Sequence, residues 1–314
     1  MKSLAYNEFG GTDVLQLIDV SKPTMGDNEL LVKVKSVSLN PIEWKFRKGE
    51  MKMMSGKKFP QFVGGEFSGV IEQVGKNIVE FKPGDEVFGF INTKKGGAIQ
   101  DNVVVTPNLI THKPKNISFE QAASISVVGI AAMTGLYKTA KIKRGQSILI
   151  NGCTGNMAIW ANQIAKQEGL RVVGACSAES QAFALQLGCD EVIDYRKQNV
   201  LSLSEKFDIV WDMANVLRFG DVKRILKNNG IFLNPTPTLP QIIGSLFGNL
   251  VSSKKHKVVL GAPNKEYLNR LADFAKQPNF QIPINKIFSF SDYKQAYDYA
   301  EKGGIVGKVV INVS

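Results

Sequence analysis

The sequence predicts an α/β protein of two domains, a compact antiparallel barrel or sandwich followed by a doubly wound parallel sheet, and three observations carry that prediction. From Lys2 to about Pro114, short strand-like runs are separated by turn residues. From Ser147 to Ala262, apolar runs alternate with helical patterns, as they do where crossover helices connect parallel strands. Where this second part begins, SILINGCTGNMA (Ser147 to Ala158) passes from an apolar strand through a small-residue turn into a helix starting near Met157.

In the first part, Leu30 to Val37 alternates as a half-buried strand should, and Phe67 to Val74 and Glu86 to Ile91 follow. Lys82-Pro83-Gly84-Asp85 is a tight turn, since proline presets one φ and glycine permits another. Ser118, with Gln121 three residues on, forms a capping box ahead of the apolar segment that runs to Leu136, so a helix begins there.

In the second part, Arg171 to Cys176, Glu191 to Tyr195, Phe207 to Met213, Gly230 to Asn234 and Lys257 to Leu260 read as strands, with helices between them stopping at Gly169, Gly188 and Gly230. Sheets of this kind bind ligands at the carboxyl ends of their strands. Here those ends are Asn151 to Thr154, Cys176 to Ala178, Asp194-Tyr195, Met213 to Asn215 and Asn234 to Pro237. The tail holds a helix over Lys265 to Lys276, a second helix capped by Ser291 or Asp292, and a strand over Gly307 to Val313 that is expected to return to the first sheet. The expected domains are residues 1–120 with 276–314, and residues 121–275.

Length and composition narrow the class. With 314 residues the chain exceeds one ordinary core, and 44% hydrophobic with 21% charged residues excludes disorder. No apolar run reaches the length of a membrane span, and the opening MKSLAYNEFG has no leader composition, so a cytoplasmic location is expected. Cys153, Cys176 and Cys189, with only His112 and His256 besides, match neither a disulfide framework nor a zinc site. The net charge of +11 favours an anionic partner such as a phosphorylated cofactor or an anionic surface. The lysines are scattered apart from Lys94-Lys95 and SSKKHK (Ser252 to Lys257), and neither cluster is interleaved with aromatics, so nucleic acid is not an expected partner.

The turn itself reads GxxGxxA, with Gly152, Gly155 and Ala158. Small residues there let the backbone approach a pyrophosphate, while helix amides near Gly155 to Met157 face the anion. Read alone, the same spacing also describes a surface turn that binds nothing.

On these residues the chain resembles the zinc-free quinone oxidoreductase and enone (alkenal) reductase branch of the medium-chain dehydrogenase/reductase superfamily, and is similar to the plant chloroplast-envelope homologues of that branch. The resemblance runs through SLNPIEWKFRKG (Ser38 to Gly49), FVGGEFSGVIEQVG (Phe62 to Gly75), FKPGDEVFGF (Phe81 to Phe90), the glycine turn, LGCDEVIDY (Leu187 to Tyr195) and GIVGKVVI (Gly304 to Ile311). It implies a GroES-like barrel domain plus a Rossmann domain, hydride transfer from NADPH to an α,β-unsaturated carbonyl or quinone, and a homodimer formed near Val258 to Leu260. Zinc-dependent relatives carry cysteine at Asn40 and histidine-glutamate at Gly65-Glu66, so no metal is implied.

Several positions depart from the branch. It usually reads AxxGGVG in the turn, where this chain has Asn156 and Ala158; asparagine tolerates left-handed backbone, which would keep the turn's shape. Ser126 stands for a proline, Ala131 for a nicotinamide-facing threonine, and Lys45 and Met51 for cleft tyrosines.

The end of the second strand, Gly174-Ala175-Cys176-Ser177, supplies no acid for the ribose hydroxyls, which leaves room for a 2′-phosphate and favours NADPH over NADH. Glu179 and Ser180 occupy the place of the basic residue many relatives have there, and Arg196 or Lys197 is the substitute from the next loop. The resemblance adds Ser177 and Tyr195 to a cofactor-binding set otherwise made of Gly152, Thr154, Gly155, Asn156, Met157, Ala214, Asn215, Pro235, Thr236 and Lys308. Reduction of an enone places negative charge on the carbonyl oxygen, which the Asn40 amide and the Lys45 ammonium are the candidates to stabilise; solvent is the other proton source, and an exposed loop lysine the other reading of Lys45.

Cys153 reads as a packing residue, because nothing beside it would activate a thiolate. Trp44, Met51, Met53 and Met54 read either as lining for a small lipophilic substrate or as cover for the core. The loop NPTPTLPQIIGSLFGNL (Asn234 to Leu250) reads as a lid, as packing or, with SSKKHK after it, as peripheral contact with an anionic membrane. A noncatalytic NADPH-binding or membrane-associated protein reusing the fold is the alternative function.

Overall fold

The structure is a computed structural model that describes residues 1–56, 58–91, 97–234, 249 and 252–313. The chain divides into two compact units, residues 1–127 with 263–314, and residues 128–262. Both boundaries differ from those expected at 120 and 275. The carboxyl-side shift has a visible cause, because the helix Lys265–Ala275 belongs to the first unit: the Lys265 ammonium donates to the carbonyls of Pro107 (2.8 Å) and Ile110, and Asn116 donates to the carbonyl of Ala275 at 3.0 Å.

In chain order the first unit contains β1 (Lys2–Tyr6), β2 (Leu15–Asp19), β3 (Leu30–Ser38), α1 (Pro41–Arg47), α2 (Lys52–Ser55), β4 (Gln61–Phe62), β5 (Glu66–Val74), β6 (Glu86–Phe90), β7 (Asn102–Val105), β8 (Ile110–His112) and α3 (Phe119–Ala123). Ser118 and Gln121 make the expected capping box, and α3 is followed by α4 (Ser126–Met133) and a π-helical segment, Thr134–Ala140. The second unit then runs through β9 (Ser147–Asn151), α5 (Asn156–Gln167), β10 (Arg171–Cys176), α6 (Gln181–Gln186), β11 (Glu191–Asp194), β12 (Phe207–Asp212), α7 (Phe219–Val222), β13 (Leu226–Asn234) and β14 (Lys255–Val258). The chain returns to the first unit with α8 (Lys265–Ala275), β15 (Ile284–Ser289), α9 (Tyr293–Glu301) and β16 (Lys308–Asn312).

The main sheet of the first unit runs β15-β16-β3-β5-β6-β8 and is antiparallel except for the parallel β15–β16 pair. β3 shares one edge between β7, paired through Leu30 to Lys33, and β16, paired through Ser36 to Ser38. The last strand therefore does return to the first sheet, and it brings Lys308 to the carboxyl end of β3. The alternation of β3 and β5 buries Val32, Val34, Phe67 and Ile71 in one core with Ile110, Phe288 and Ile311. Each such side chain contributes roughly 1.5–3 kcal/mol.

In the second unit the strand order is β11-β10-β9-β12-β13-β14, all parallel. Numbered within the unit this is 3-2-1-4-5-6, the order of a Rossmann fold, with the switch point between β9 and β12. β9 is buried along its whole length, because helices cover both faces of a parallel sheet. Gly169 and Gly188 have φ of 78° and 95° and end α5 and α6, as expected. Gly230 does not stop a helix. It lies inside β13, next to Asn229 at φ 63°, and a Cβ on it would sit 2.9 Å from the Lys227 carbonyl oxygen. β14 begins two residues before the expected start at Lys257.

Among the described residues no helix is long and apolar enough to cross a membrane. Pro235, Thr236, Lys94, Lys95 and most of the loop Asn234 to Leu250 lie outside the described residues. Of the SSKKHK lysines, Lys254 donates to the Lys223 carbonyl, Lys255 to that of Ser252 at 2.8 Å, and Lys257 to that of Thr139 at 3.0 Å.

Candidate active site

The candidate site residues fall into two groups, one in each unit. In the first unit Asn40 occupies the N-cap position of α1, with Pro41 following, yet its side chain makes no capping bond. Asparagine is among the preferred residues at this position because its oxygen accepts a helix amide. Here the side chain is drawn elsewhere: Asn40 Nδ2 donates to Glu66 Oε1 at 2.9 Å, and Lys308 Nζ donates to Asn40 Oδ1 at 2.6 Å. An ammonium has no acceptor, so Lys308 fixes which end of the amide is oxygen.

This group is deeply buried, with Asn40 3%, Lys308 4% and Glu66 0% exposed. Lys308 Nζ also reaches Glu66 Oε1 at 2.9 Å and the Leu39 carbonyl at 3.0 Å, so three acceptors surround its three protons. The Ser38 hydroxyl donates to Glu66 Oε1, and the Val127 amide donates to Oε2 at 2.7 Å. Burial of a charge pair is tolerated only when the remaining lone pairs and protons are satisfied, and here they are.

Glu43, in the first turn of α1, is buried beside this group. Its Oε2 accepts the Tyr297 hydroxyl at 2.7 Å and its Oε1 accepts no hydrogen bond. Burial pushes its carboxyl up to about 7, against the Tyr297 hydrogen bond and the Lys308 charge, which lower it, while the Glu66 charge raises it further. Burial and the Glu43 carboxyl together hold the Tyr297 hydroxyl well above its ordinary value, so it stays a donor. Arg47, next on the same helix face, pairs with Glu301 and lies over the Tyr297 ring at 5.4 Å.

Lys45 is half-buried and lies on the side of α1 opposite Glu43, Phe46 and Arg47. Trp44 packs on the core of the unit, Met51 is half-buried and Met54 is exposed. The Met53 side chain is outside the description.

In the second unit Gly152 follows β9 at φ 80°, and a Cβ on it would stand 3.1 Å from the Ala214 amide nitrogen. The turn is pinned to the neighbouring strands: the amides of Gly152 and Cys153 donate to the Ala175 carbonyl at 2.9 and 3.1 Å, and those of Met213 and Ala214 to the Asn151 carbonyl at 2.9 and 3.2 Å. Gly155 is the N-cap of α5, which leaves the first-turn amides of Asn156 and Met157 without intrahelical acceptors. Asn156 is the first helical residue and its backbone is not left-handed, contrary to the expected use of asparagine. The left-handed non-glycine residue at this edge is Asn215, at φ 58°. What Asn156 introduces is a buried Oδ1 that accepts no hydrogen bond.

Parallel register sets Thr154, Ser177, Tyr195, Ala214 and Asn215 on one edge of this sheet, at the strands' carboxyl ends. Ala214 and Asn215 are exposed, Thr154 and Ser177 half-buried, and Tyr195 is 53% exposed. The Arg196 guanidinium lies over the Tyr195 ring at 5.8 Å and pairs with Glu179 at 2.7 Å. A hydrogen bond from its own backbone amide, one from Ser177 and the one from Arg196 hold the Glu179 carboxyl down to about 2. A small turn against Ala214, free helix amides and a cation beside Ser177 and Tyr195 fit a phosphorylated dinucleotide.

Sequence reading did not single out Asp212, which braces this edge. It is fully buried, accepting from Asn151 Nδ2 at 2.8 Å and from the Leu217 amide at 2.6 Å. It also passed over Glu43 and Tyr297 and did not pair Lys308 with Glu66. Cys153, Cys176 and Cys189 are buried thiols, and hydrogen bonding to Cys189 together with burial raises the Cys153 thiol, which makes it a packing residue.

An alcohol dehydrogenase GroES-like domain model matches residues 26–115 and a zinc-binding dehydrogenase model matches residues 187–311. The chain is 30% identical to the chloroplastic quinone-oxidoreductase homolog of Spinacia oleracea, over 99% of this chain and 98% of that one. It is 29% identical to the chloroplastic NADPH-dependent alkenal/one oxidoreductase of Arabidopsis thaliana, over 99% and 79% of the two chains. Among solved structures, the quinone oxidoreductase from Coxiella burnetii matches with a TM-score of 0.90 and 30% identity, over 100% and 99% of the chains.

The chain therefore belongs to the medium-chain dehydrogenase/reductase family, with a GroES-like and a Rossmann domain, which makes it a nicotinamide-dependent oxidoreductase. Within the family it is similar to the proteins named quinone oxidoreductase and alkenal/one oxidoreductase. Zinc does not fit its buried donor set. Asn40 Oδ1 and Glu66 are both bonded to an ammonium, and among the described residues no group of three His, Cys, Asp or Glu could hold a metal ion.

Proposed function

We propose that the protein is an NADPH-dependent, zinc-independent reductase of α,β-unsaturated carbonyls or quinones. The observation that carries this reading is the buried Asn40–Glu66–Lys308 group, an amide whose oxygen is held by an ammonium so that its N–H side is the donor. Reduction of a conjugated carbonyl builds negative charge on oxygen, and fixed donors in a dry site stabilise that charge without reorganising.

NADPH, when bound, supplies the hydride. Gly152, Thr154, Gly155, Asn156 and Met157 hold its pyrophosphate, and Ala214 and Asn215 flank it at the strand ends. Ser177, Tyr195 and Arg196 hold the 2′-phosphate; the relative named as NADPH-dependent supports that choice. Pro235 and Thr236, proposed as further contacts, lie outside the described residues. Asn40 is the proposed oxyanion donor. Lys308 serves through Asn40, and its ammonium, already surrounded by three acceptors, is a positioning group. Lys45 is the proposed cation near the carbonyl, with solvent as proton source. Among the described residues β14 is the edge strand of its sheet, which supports a homodimer formed through it.

Fluorescence titration with NADPH and NADH, followed by NADPH consumption with short enals, longer enones and quinones, tests the reading. Tight binding with no turnover on any of them defeats it in favour of a noncatalytic binding protein. Arg196→Ser is expected to weaken NADPH about tenfold while leaving NADH unchanged, as loss of one charge-assisted hydrogen bond would. Equal weakening of both would remove Arg196 from the phosphate. Lys45→Met is expected to lower kcat/KM for an enone at least about tenfold; an unchanged value removes its role.

A further inference from the structure

We propose that Glu179 sets the preference between the two nicotinamide cofactors: its carboxylate holds the donors offered to the 2′-phosphate, so NADPH takes them from it while NADH has no need to. Glu179 is thus a specificity-determining residue, and the proposal rests on the dinucleotide-binding part of the reading above.

The geometry begins with two parallel strands. β10 and β11 end side by side, with Cys176 opposite Asp194 and the Tyr195 amide donating to the Cys176 carbonyl at 3.2 Å. Past the end of β10, Ser177 caps a single helical turn, Ala178–Ser180, and its carbonyl accepts the Ser180 amide at 3.0 Å. Glu179 sits in that turn. Past the end of β11, the Arg196 amide donates to Asp194 Oδ1 at 3.0 Å, and its guanidinium lies over the Tyr195 ring at 5.8 Å. Backbone and ring together aim Arg196 across the seam, where Nη1 meets Glu179 Oε1 at 2.7 Å.

The donors proposed for the 2′-phosphate are therefore already facing an anion. The amide of Glu179 itself, the Ser177 hydroxyl and Arg196 hold its carboxyl down to about 2, so it is charged wherever a cofactor can bind. A 2′-phosphate brings a second anion to the same guanidinium and hydroxyl, whereas the 2′-hydroxyl of NADH brings none. The pair is exposed, 56% for Arg196 and 67% for Glu179, so water and salt reach it and the carboxylate is displaced rather than locked in place. Breaking an exposed pair shifts an equilibrium by at most about fivefold. The carboxylate left beside the phosphate adds about twofold more at ordinary salt.

The test is fluorescence titration of NADPH and NADH into the wild type, Glu179→Gln, Arg196→Ser and the double variant, a readout that needs no turnover. Glu179→Gln is expected to bind NADPH about tenfold tighter and NADH within about twofold of the wild type. In the Arg196→Ser background the same substitution is expected to gain only about twofold for NADPH, because the competition for the guanidinium is gone. An unchanged ratio of NADPH to NADH affinity in Glu179→Gln, or an equal gain in both backgrounds, overturns the proposal. If neither the wild type nor any variant binds either nucleotide, the cofactor reading falls and the proposal with it. The expected shift in affinities without turnover of any enone or quinone overturns the reductase reading and leaves the role of Glu179 established.

Discussion

Replacing Lys308 with methionine is expected to cost about 3–5 kcal/mol of stability and to lower kcat/KM for an enone by about 10²–10³-fold. The stability loss arises because the Glu66 carboxylate, wholly buried, keeps the Ser38, Asn40 and Val127 donors but loses its cation. Removing one member of a buried pair leaves an uncompensated charge, which is far more damaging than removing both. The double variant Lys308→Met with Glu66→Gln is therefore expected to recover much of the urea midpoint. It is not expected to recover activity, because nothing then fixes the Asn40 amide. Recovery of both in the double variant would show that Lys308 serves the fold alone.

Asp212→Ala is expected to destabilise by about 3 kcal/mol and to weaken NADPH binding at least about tenfold. Two buried donors, Asn151 Nδ2 and the Leu217 amide, lose their acceptor, at about 1–3 kcal/mol for each unsatisfied group. The effect on binding follows from position. Asn151 ties β9 to β12 by side chain to Asp212 and by its carbonyl to Met213 and Ala214, and Gly152 turns directly against Ala214. Freed from this brace, Ala214 and Asn215 shift against the turn proposed to seat the pyrophosphate. Asp212→Asn keeps one acceptor and is expected to fall between the two. A wild-type urea midpoint together with an unchanged NADPH titration for Asp212→Ala would show that the seam between β9 and β12 holds without it.

Wherever a few neighbouring residues decide the outcome, the sequence was readable. The capping box at Ser118 and Gln121, the turn at Gly84, the helix ends at Gly169 and Gly188 and the strand runs from β9 to β12 each follow from local chemistry. Gly230 misled for the same reason: it carries a helix-stop residue type, but Asn229 takes the left-handed conformation and β13 runs through both. Asn156 misled likewise, since tolerance of left-handed backbone says nothing about whether the position needs it.

The candidate site divides along the same line. Its proposed cofactor half was legible, because the glycine turn and the strand ends around it are written within short stretches, and parallel order brings those stretches to one edge. The buried acid-base half was not. Asn40 and Lys308 stand 268 positions apart and Glu43 and Tyr297 254 apart. No periodicity marks such pairs; their partners are chosen by the register of β3 against β16 and the packing of α9 on α1. By itself, then, the sequence determined the elements and the fold class and pointed to the turn proposed to seat the dinucleotide, all of which depend on local propensity and apolar pattern. Tertiary structure alone decided that Lys308 faces Asn40 and Glu66, that Asp212 braces the turn around Gly152, and that the Tyr297 hydroxyl meets Glu43, because burial and long-range pairing set the cost of a charge.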